Sequence, residues 1–395
     1  MTPVNAWDMA ALVAGEASFG TVPDPVAAAA FECINFKTGV GVAVGEVRGK
    51  KDRNVGRNMQ SGFVEGRVKP IAWSIDTSVK SRAAVDTVPR ESALYRGAGM
   101  TQTVNSSTSV VYTLPAAPIE TSNSFASVSL TRLFGKSPYV YQAEQLRGGV
   151  VKTLEWSGGD TELMLKASGE CVDKYLMGYS SSITLADGSG TTLTFANAEE
   201  AYRFGLGFYQ VENEVIRITA RPSSTTATIA RAQLTTTGAA HTAVPLRPYI
   251  PTLTYAGSPI SEGATVTTTV DSVALRTMSW AVSLTTGMDL LPGESGSKYV
   301  QGVKALRNEL TVRLKLVLTE TQGVSLLGKA RDRNTCAITL VQSTGSAGGV
   351  MTFSIPYTEV VPFELPDTVN DVAVCDVTFR VRDNSGNDAF TLTFT

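Results

Sequence analysis

The side chains that most often carry chemistry are sparse in this chain and lie far apart. His241, within RAQLTTTGAAHTAVP (Arg231 to Pro245), is the only histidine. Histidine usually recurs where proton transfer or zinc binding is the business, because its ordinary pKa lies nearest neutrality. A triad or a zinc site also needs partners, and the neighbours of His241 are Gly238, Ala239, Ala240 and Thr242. His241 therefore reads as a solvated or structurally hydrogen-bonded loop residue. The four cysteines, Cys33, Cys171, Cys336 and Cys375, form no CxxC pair and read as reduced, mostly buried small apolar side chains made in a cytoplasm. Glu199 with Glu200, and Asp289 with Glu294, would have to flank a sugar cleft to act as a glycosidase pair, and they read better as solvated charges. GVGVAVG (Gly39 to Gly45) lacks both the GxGxxG order and GK[ST], so it reads as close-packed strand. The expectation is a non-enzymatic chain with no catalytic, cofactor-binding or metal-ligating residue.

One stretch is chemically distinctive. VGEVRGKKDRNVGRNMQSGFVEGRVK (Val44 to Lys69) carries Arg48, Lys50, Lys51, Arg53, Arg57, Arg67 and Lys69 in a glycine-rich run without apolar periodicity at its centre. Its length for a connection points to function or to disorder. The loop suits contact with nucleic acid by charge, but Phe63 is its only aromatic residue, so an acidic surface on a neighbouring subunit fits it at least as well. The expectation is a loop that orders against an adjacent subunit.

Composition bounds the rest. The chain has 395 residues, 43% apolar and 18% charged, and a formal net charge of -2. That length suffices for two domains and a well-buried core, and the low charge content suits broad contacts with neighbouring subunits. A net negative chain is not built mainly to grip phosphates, which requires clustered cations. The first residues, MTPVNAWDMAALVAGEA, have no basic region ahead of their apolar run. No run approaches the roughly 20 apolar residues that span a bilayer, so neither secretion nor membrane insertion is expected.

The elements that would position these groups are mostly strands. LTVRLKLVLT (Leu310 to Thr319) sets Leu310, Val312, Leu314, Leu316 and Leu318 on one face against Thr311, Arg313 and Lys315 on the other. The same period of two runs through IAWSI from Ile71, SVVYTL from Ser109, MSWAVSL from Met278, MTFSIPY from Met351, VCDVTFRV from Val374 and AFTLTF from Ala389. Asn384-Ser385-Gly386-Asn387 predicts a hairpin between the last two strands. Helix signals are short. One starts at Thr87 or Val88 with Pro89 in its first turn and stops at Gly97 and Gly99; others are GECVDKYLM (Gly169 to Met177) and NAEEAYRFG with Asn197 as cap. Runs of strands with few helices indicate an antiparallel β-sandwich or barrel. A second strand pattern from about Gly178 to Arg247, ending in RPYIP, marks a small inserted β domain. The division expected is 1–169 and 250–395 for the main domain and 170–249 for the insertion.

The order of these pieces is familiar. GRVKPIAWSIDTSVKSRAAVDTVPRESALYRGAGM (Gly66 to Met100) resembles the tail tube proteins of long-tailed, non-contractile bacteriophages, in which a strand leads to a short helix of the "P…LLRAAGF" kind. Pro89, Leu94, Arg96, Ala98, Gly99 and Met100 carry that match. LRGGVVKTLEW (Leu146 to Trp156), TELMLKASGE (Thr161 to Glu170, like the family's "AxGE") and the closing strands to GNDAF are similar too. Within the insertion, NEVIRITARPSSTTATIARAQLTTTGAAHTAVP resembles a small structural module of phage proteins. His241 and Arg231 match that module's histidine and arginine, while Ala232 and Thr236-Thr237 depart from its RG and GT.

The resemblance implies a structural virion protein of mainly β fold, with one short helix in the tail tube domain. Its subunits would form hexameric rings stacked into a tube whose lumen conducts double-stranded DNA into the host. Implied partners are other copies of the chain, the tape measure protein in the lumen during assembly, and terminator and distal tail proteins at the ends. Assembly would take place in the host cytoplasm and the product would reside in the virion tail. Candidate wall strands are Lys69 to Ser78 and Val150 to Glu162, with a polar lumen face that is not basic, since attraction to phosphate would slow transit. A distal tail or adhesin-like subunit that binds a host surface is the alternative.

Overall fold

The computed structural model describes residues 9–16, 32–34, 36–42, 50–51, 63–64, 70–114, 126–134, 142–159, 162–220, 225–249, 260, 265–291, 302–305, 308–364, 367–369, 372–382 and 389–395. The chain is mainly β and its sheets are antiparallel, in barrel-like arrangements. Alternation does what the sequence requires of it: Ile71, Trp73 and Ile75, then Trp280, Val282 and Leu284, then Leu310, Val312, Leu314 and Leu316 are all buried, and the residues between them face outward.

One sheet has the order Phe36–Val42, Ile71–Ser78, Met164–Cys171, Gln142–Gly159, Val273–Thr285, Glu309–Val317, Val372–Val381. The second runs Thr101–Asn105, Ser109–Thr113, Thr391–Phe394, Val350–Val360, Thr335–Ser343, Thr265–Val270. Two corners join them. Val270 pairs with Val273 at the start of one long strand, and Val360 pairs with Phe379 at the end of another. The six strands between these corners close on themselves, which leaves them no edge.

A third sheet, of Glu32–Ile34, Met9–Gly15, Val128–Phe134, Gln142–Gly159 and Asp173–Met177, shares the long strand with the first. The strand changes sheets at a bulge between Leu146 and Gly149. Gly148 takes φ +60 there, and a Cβ on Gly149 would lie 2.5 Å from the Val128 carbonyl oxygen. The buried Glu16 carboxylate accepts from the Gly148 N–H at 2.9 Å and from the hydroxyls of Ser127 and Ser129.

Beneath the bulge lies the helix Ser92–Gly97, which places Tyr95 between the two main sheets. Its ring sits 4.9 Å from Tyr112, 5.8 Å from Trp156 and 6.1 Å from Phe394, and none of it reaches solvent. The turn at Pro89 makes the bond Ser92 N–H to Pro89 C=O, so the helix begins a turn later than Thr87 or Val88, with Glu91 at its N-terminal boundary and no side-chain cap there.

Several expectations are corrected. Gly169 to Met177 is strand, not helix, because both Met164–Cys171 and Asp173–Met177 pair along the long strand. Of the three helices among the described residues, one lies where no helix signal was read. The longest, Glu320–Asp332, starts with a capping box in which Thr319 and Gln322 exchange bonds, a T-x-x-Q signal present in the sequence. The last two strands form no hairpin: Val372–Val381 and Thr391–Phe394 pair with different parts of Val350–Val360, one in each sheet. Residues 383–388, with the expected turn, lie outside the described residues. Asn197 does cap the helix Ala198–Ala201, accepting from the Glu200 N–H at 2.8 Å.

The strands from Ser180 to Pro248 make a separate six-stranded sheet in the order Ser180–Leu185, His241–Pro248, Gly207–Val211, Glu214–Ile218, Thr226–Gln233, Thr192–Thr194. Its core of Phe195, Phe204, Tyr209, Ile216 and Leu246 also takes in Leu12, Leu133, Ala143 and Met177 from the third sheet. Cys171, Cys336 and Cys375 are free and buried, and burial pushes the Cys171 thiol up to about 12.

Replacing Tyr95 tests the plug between the sheets. Tyr95→Ala is expected to lower stability by about 3–5 kcal/mol in urea unfolding, while Tyr95→Phe costs less than about 1 kcal/mol, since the hydroxyl meets only the Trp156 indole N–H, at 3.5 Å.

Candidate functional site

The outward face of the seven-stranded sheet is an ordered polar surface that the strands create. In the strands from Ile71–Ser78 across to Val372–Val381, the described side chains away from the bulges alternate inward and outward, and the face is composed of the outward set. Register sets them in rows: Asp76, Lys166, Glu155, Ser283, Thr311 and Arg380 follow one another across six strands. A neighbouring row runs Ser74, Ser168, Thr153 and Thr285. The first row carries charges of alternating sign and two hydroxyls, and the second is hydroxyls throughout. Asp76, Glu155, Glu170, Glu309 and Asp376 stand against Lys152, Lys166, Arg276, Arg313, Lys315 and Arg380, a near balance in which Lys152 pairs with Glu170 at 2.9 Å. The face is polar without being basic.

Sequence reading nominated Lys69 to Ser78 and Val150 to Glu162 as wall strands. Ile71–Ser78 and Gln142–Gly159 lie in this one sheet, but Met164–Cys171 separates them, and three further strands extend the face beyond. The inserted strand explains the "AxGE" segment: a Cβ on Gly169 would come within 1.9 Å of the Val150 carbonyl oxygen and 2.9 Å of the Trp73 ring. Only glycine lets the indole lie against the backbone there, while Ser168 and Glu170 on either side point outward. Near the far end, Ser157, Ser279, Ala281, Arg313, Lys315 and Thr378 line a shallow trough of about 580 Å³.

The basic loop contributes little that is described. Lys50–Lys51 pairs with Phe63–Val64 in a two-stranded ribbon, and Arg48, Arg53, Arg57 and Arg67 lie outside the described residues. The acidic pairs have structural uses. Glu200 accepts from the Ser180 hydroxyl and the Ala196 N–H, Glu199 pairs with Arg203, and Asp289 pairs with Lys152 at 2.7 Å; Glu294 is outside the described residues. Among the described residues no cluster of His, Cys, Asp and Glu suits a metal ion.

His241 is buried, and it is not alone. Its Nε2 lies 2.9 Å from Glu214 Oε2 and its Nδ1 2.9 Å from Glu212 Oε2. Arg231 forks onto Glu214 through Nε and Nη2, each at 2.7 Å, and the Ala232 and Ala239 N–H groups also donate to that carboxylate. The remaining guanidinium donors reach the carbonyls of Asp187 and Ala239. Burial works to raise the Glu214 pKa, but the bonds from Arg231, Ala232, His241 and Ala239 outweigh it and hold the carboxyl down at about 2. The cluster fastens three strands and the 186–190 and 234–240 segments to one carboxylate. Sequence reading singled out Arg231 and His241 and missed Glu212 and Glu214, although Glu214 ahead of the apolar Val215 and Ile216 was a visible charge at a core position.

No protein-family model matches the sequence, and no curated protein matches it.

Two consequences of the cluster are measurable. Glu214→Gln is expected to cost the inserted sheet about 3–5 kcal/mol, because it leaves the Arg231 charge buried without its partner. Because the folded pKa of Glu214 is depressed from 4.5 to about 2, its contribution is complete above pH 4.5 and is lost as pH falls from there towards 2, a loss of about 2 kcal/mol with allowance for solvent at the rim. Amide exchange over Glu214–Ile218 checks both, since all four tryptophans lie outside 180–248 and their fluorescence does not report on this sheet.

Proposed function

We propose that this chain is a structural virion protein, the subunit of a phage tail tube, in which copies assemble as stacked rings and the outward face of the seven-stranded sheet lines the bore. The observation that carries this reading is that face. It is wide, made of hydroxyls and mutually offsetting charges, and backed by a continuous apolar core. A wall with those properties is wetted and weakly interacting, as passage of a polyanion requires: clustered cations would hold phosphates, and apolar patches would collapse onto one another. The resemblance in the order of segments supports the same reading. Its helix motif corresponds to Ser92–Gly97, and its "AxGE" segment to the strand that completes the face.

Electron microscopy of the purified full-length chain over a concentration series, with light scattering, tests the proposal. Long hollow tubes of stacked rings are expected. Single rings that never stack would favour a distal tail subunit, and a persistent monomer would count against both. The face itself is tested by Ser283→Cys in a Cys33→Ser background, in which the other thiols are buried. A polymer-bearing maleimide is expected to label position 283 in dissociated subunits and to be blocked in tubes. Equal labelling in both would remove this face from the bore.

A further inference from the structure

The buried cluster of the inserted sheet has a property that tube formation does not call on. We infer that His241 is carried as an imidazolium between Glu212 and Glu214, and that its second proton is a latch on the hairpin Val211–Glu214, released when the proton is lost. Both ring nitrogens face carboxylate oxygens at 2.9 Å. A neutral imidazole has one N–H, so one of those contacts would set a lone pair against an anion; the imidazolium donates to both.

The proton inventory of the neighbours leads the same way. Glu214 takes four other hydrogen bonds, two from Arg231 and one each from the Ala232 and Ala239 N–H groups, and stays ionised. His241 Nε2 must therefore donate to it. The Glu212 side chain is 54% exposed, and its Oε2, facing Nδ1 at 2.9 Å, is an acceptor for the ring's second N–H. Arg231 and His241 then offset Glu212 and Glu214, and the buried cluster is electrically neutral only in this state. Asp187 is the other ionisable residue in contact: its carbonyl accepts from Arg231, while its carboxylate is occupied by Ser189 and Gly190 in its own loop.

The hairpin supplies the mechanical part. Glu212 adopts φ 50, a left-handed position that glycine or asparagine occupies with less strain. Beside the ladder pair Val211–Glu214 that closes the turn, its side-chain tethers are Gln210, which donates to its carbonyl at 2.9 Å, and His241 on its carboxylate. When Nδ1 loses its proton, the carboxylate meets a lone pair and turns out to water, and the strained turn opens. Glu214 keeps Arg231, so release is confined to the hairpin and the sheet persists.

The single histidine makes the test direct. Full-length protein labelled with 15N at histidine shows one imidazole. At neutral pH its two nitrogen resonances are expected close together, as in imidazolium, and they separate as pH rises. Over the same interval, amide exchange of Val211–Glu214, corrected for intrinsic rate and read by mass spectrometry, is expected to rise about tenfold. Exchange of Thr226–Ala230 stays unchanged. Glu212→Gln keeps the turn's size and removes the charge; its imidazole is expected to be a neutral tautomer at neutral pH, with hairpin exchange independent of pH. A neutral tautomer in the unsubstituted folded protein at neutral pH would overturn the inference. So would hairpin exchange that does not change while the imidazole titrates.

Discussion

The strand Gln142–Gly159 belongs to two sheets, and a β-ladder can change partners midway only if the backbone groups freed at the crossing find other acceptors. Glu16 meets that need. Its carboxylate takes the Gly148 N–H and two serine hydroxyls in a buried position, where an unpaired donor or an unpaired charge would cost more than the bulge saves. The glycine pair Gly148-Gly149 lets the backbone of the neighbouring strand approach at Val128, and Gly97 of the short helix packs against the same valine. The placement of Tyr95 between Trp156 and Phe394 follows from that contact, and with it the spacing of the two main sheets.

The same long strand orients the outward face. Beyond the bulge its alternation is uninterrupted from Thr153 to Ser157, with Leu154 and Trp156 inward, and it is hydrogen-bonded on both sides to strands of matching polarity. A one-residue slip in any of these ladders would exchange hydroxyls for Leu and Trp, so the core that stabilises the sheet also enforces the character of its surface. The proposed lumen wall rests on this coupling.

The inserted sheet is organised on a different principle. Its apolar core is small and partly completed by Leu12, Leu133, Ala143 and Met177 of the adjoining sheet. What ties its far end together is one buried carboxylate receiving donors from Arg231, His241 and two backbone amides. Such a cluster specifies geometry strictly because no member can be left unpaired. The aromatic contact of Phe195 with Phe204, centroids 4.7 Å apart, supplies the packing that charge does not.

The sequence by itself determined the mainly β class and which residues of the strongly alternating strands face the core, because a period of two is a local property of the chain. It also showed the Asn197 cap, and it contained the capping box at Thr319 that our reading passed over. Pairing was decided by tertiary structure. Alternation marks the sides of Ile71–Ser78 and Gln142–Gly159 but does not say that Met164–Cys171 lies between them, and Gly169 to Met177 carries a helix-like composition that ladder bonds on the long strand override. The turn residues after Val381 suggested a hairpin, yet Val350–Val360 offers each flanking strand a better partner in a different sheet. His241 shows the limit most clearly: its isolation in sequence was real, and only the fold brought it Glu212, Glu214 and Arg231, because hydrogen-bond partners of a buried group are chosen by the packing of distant strands.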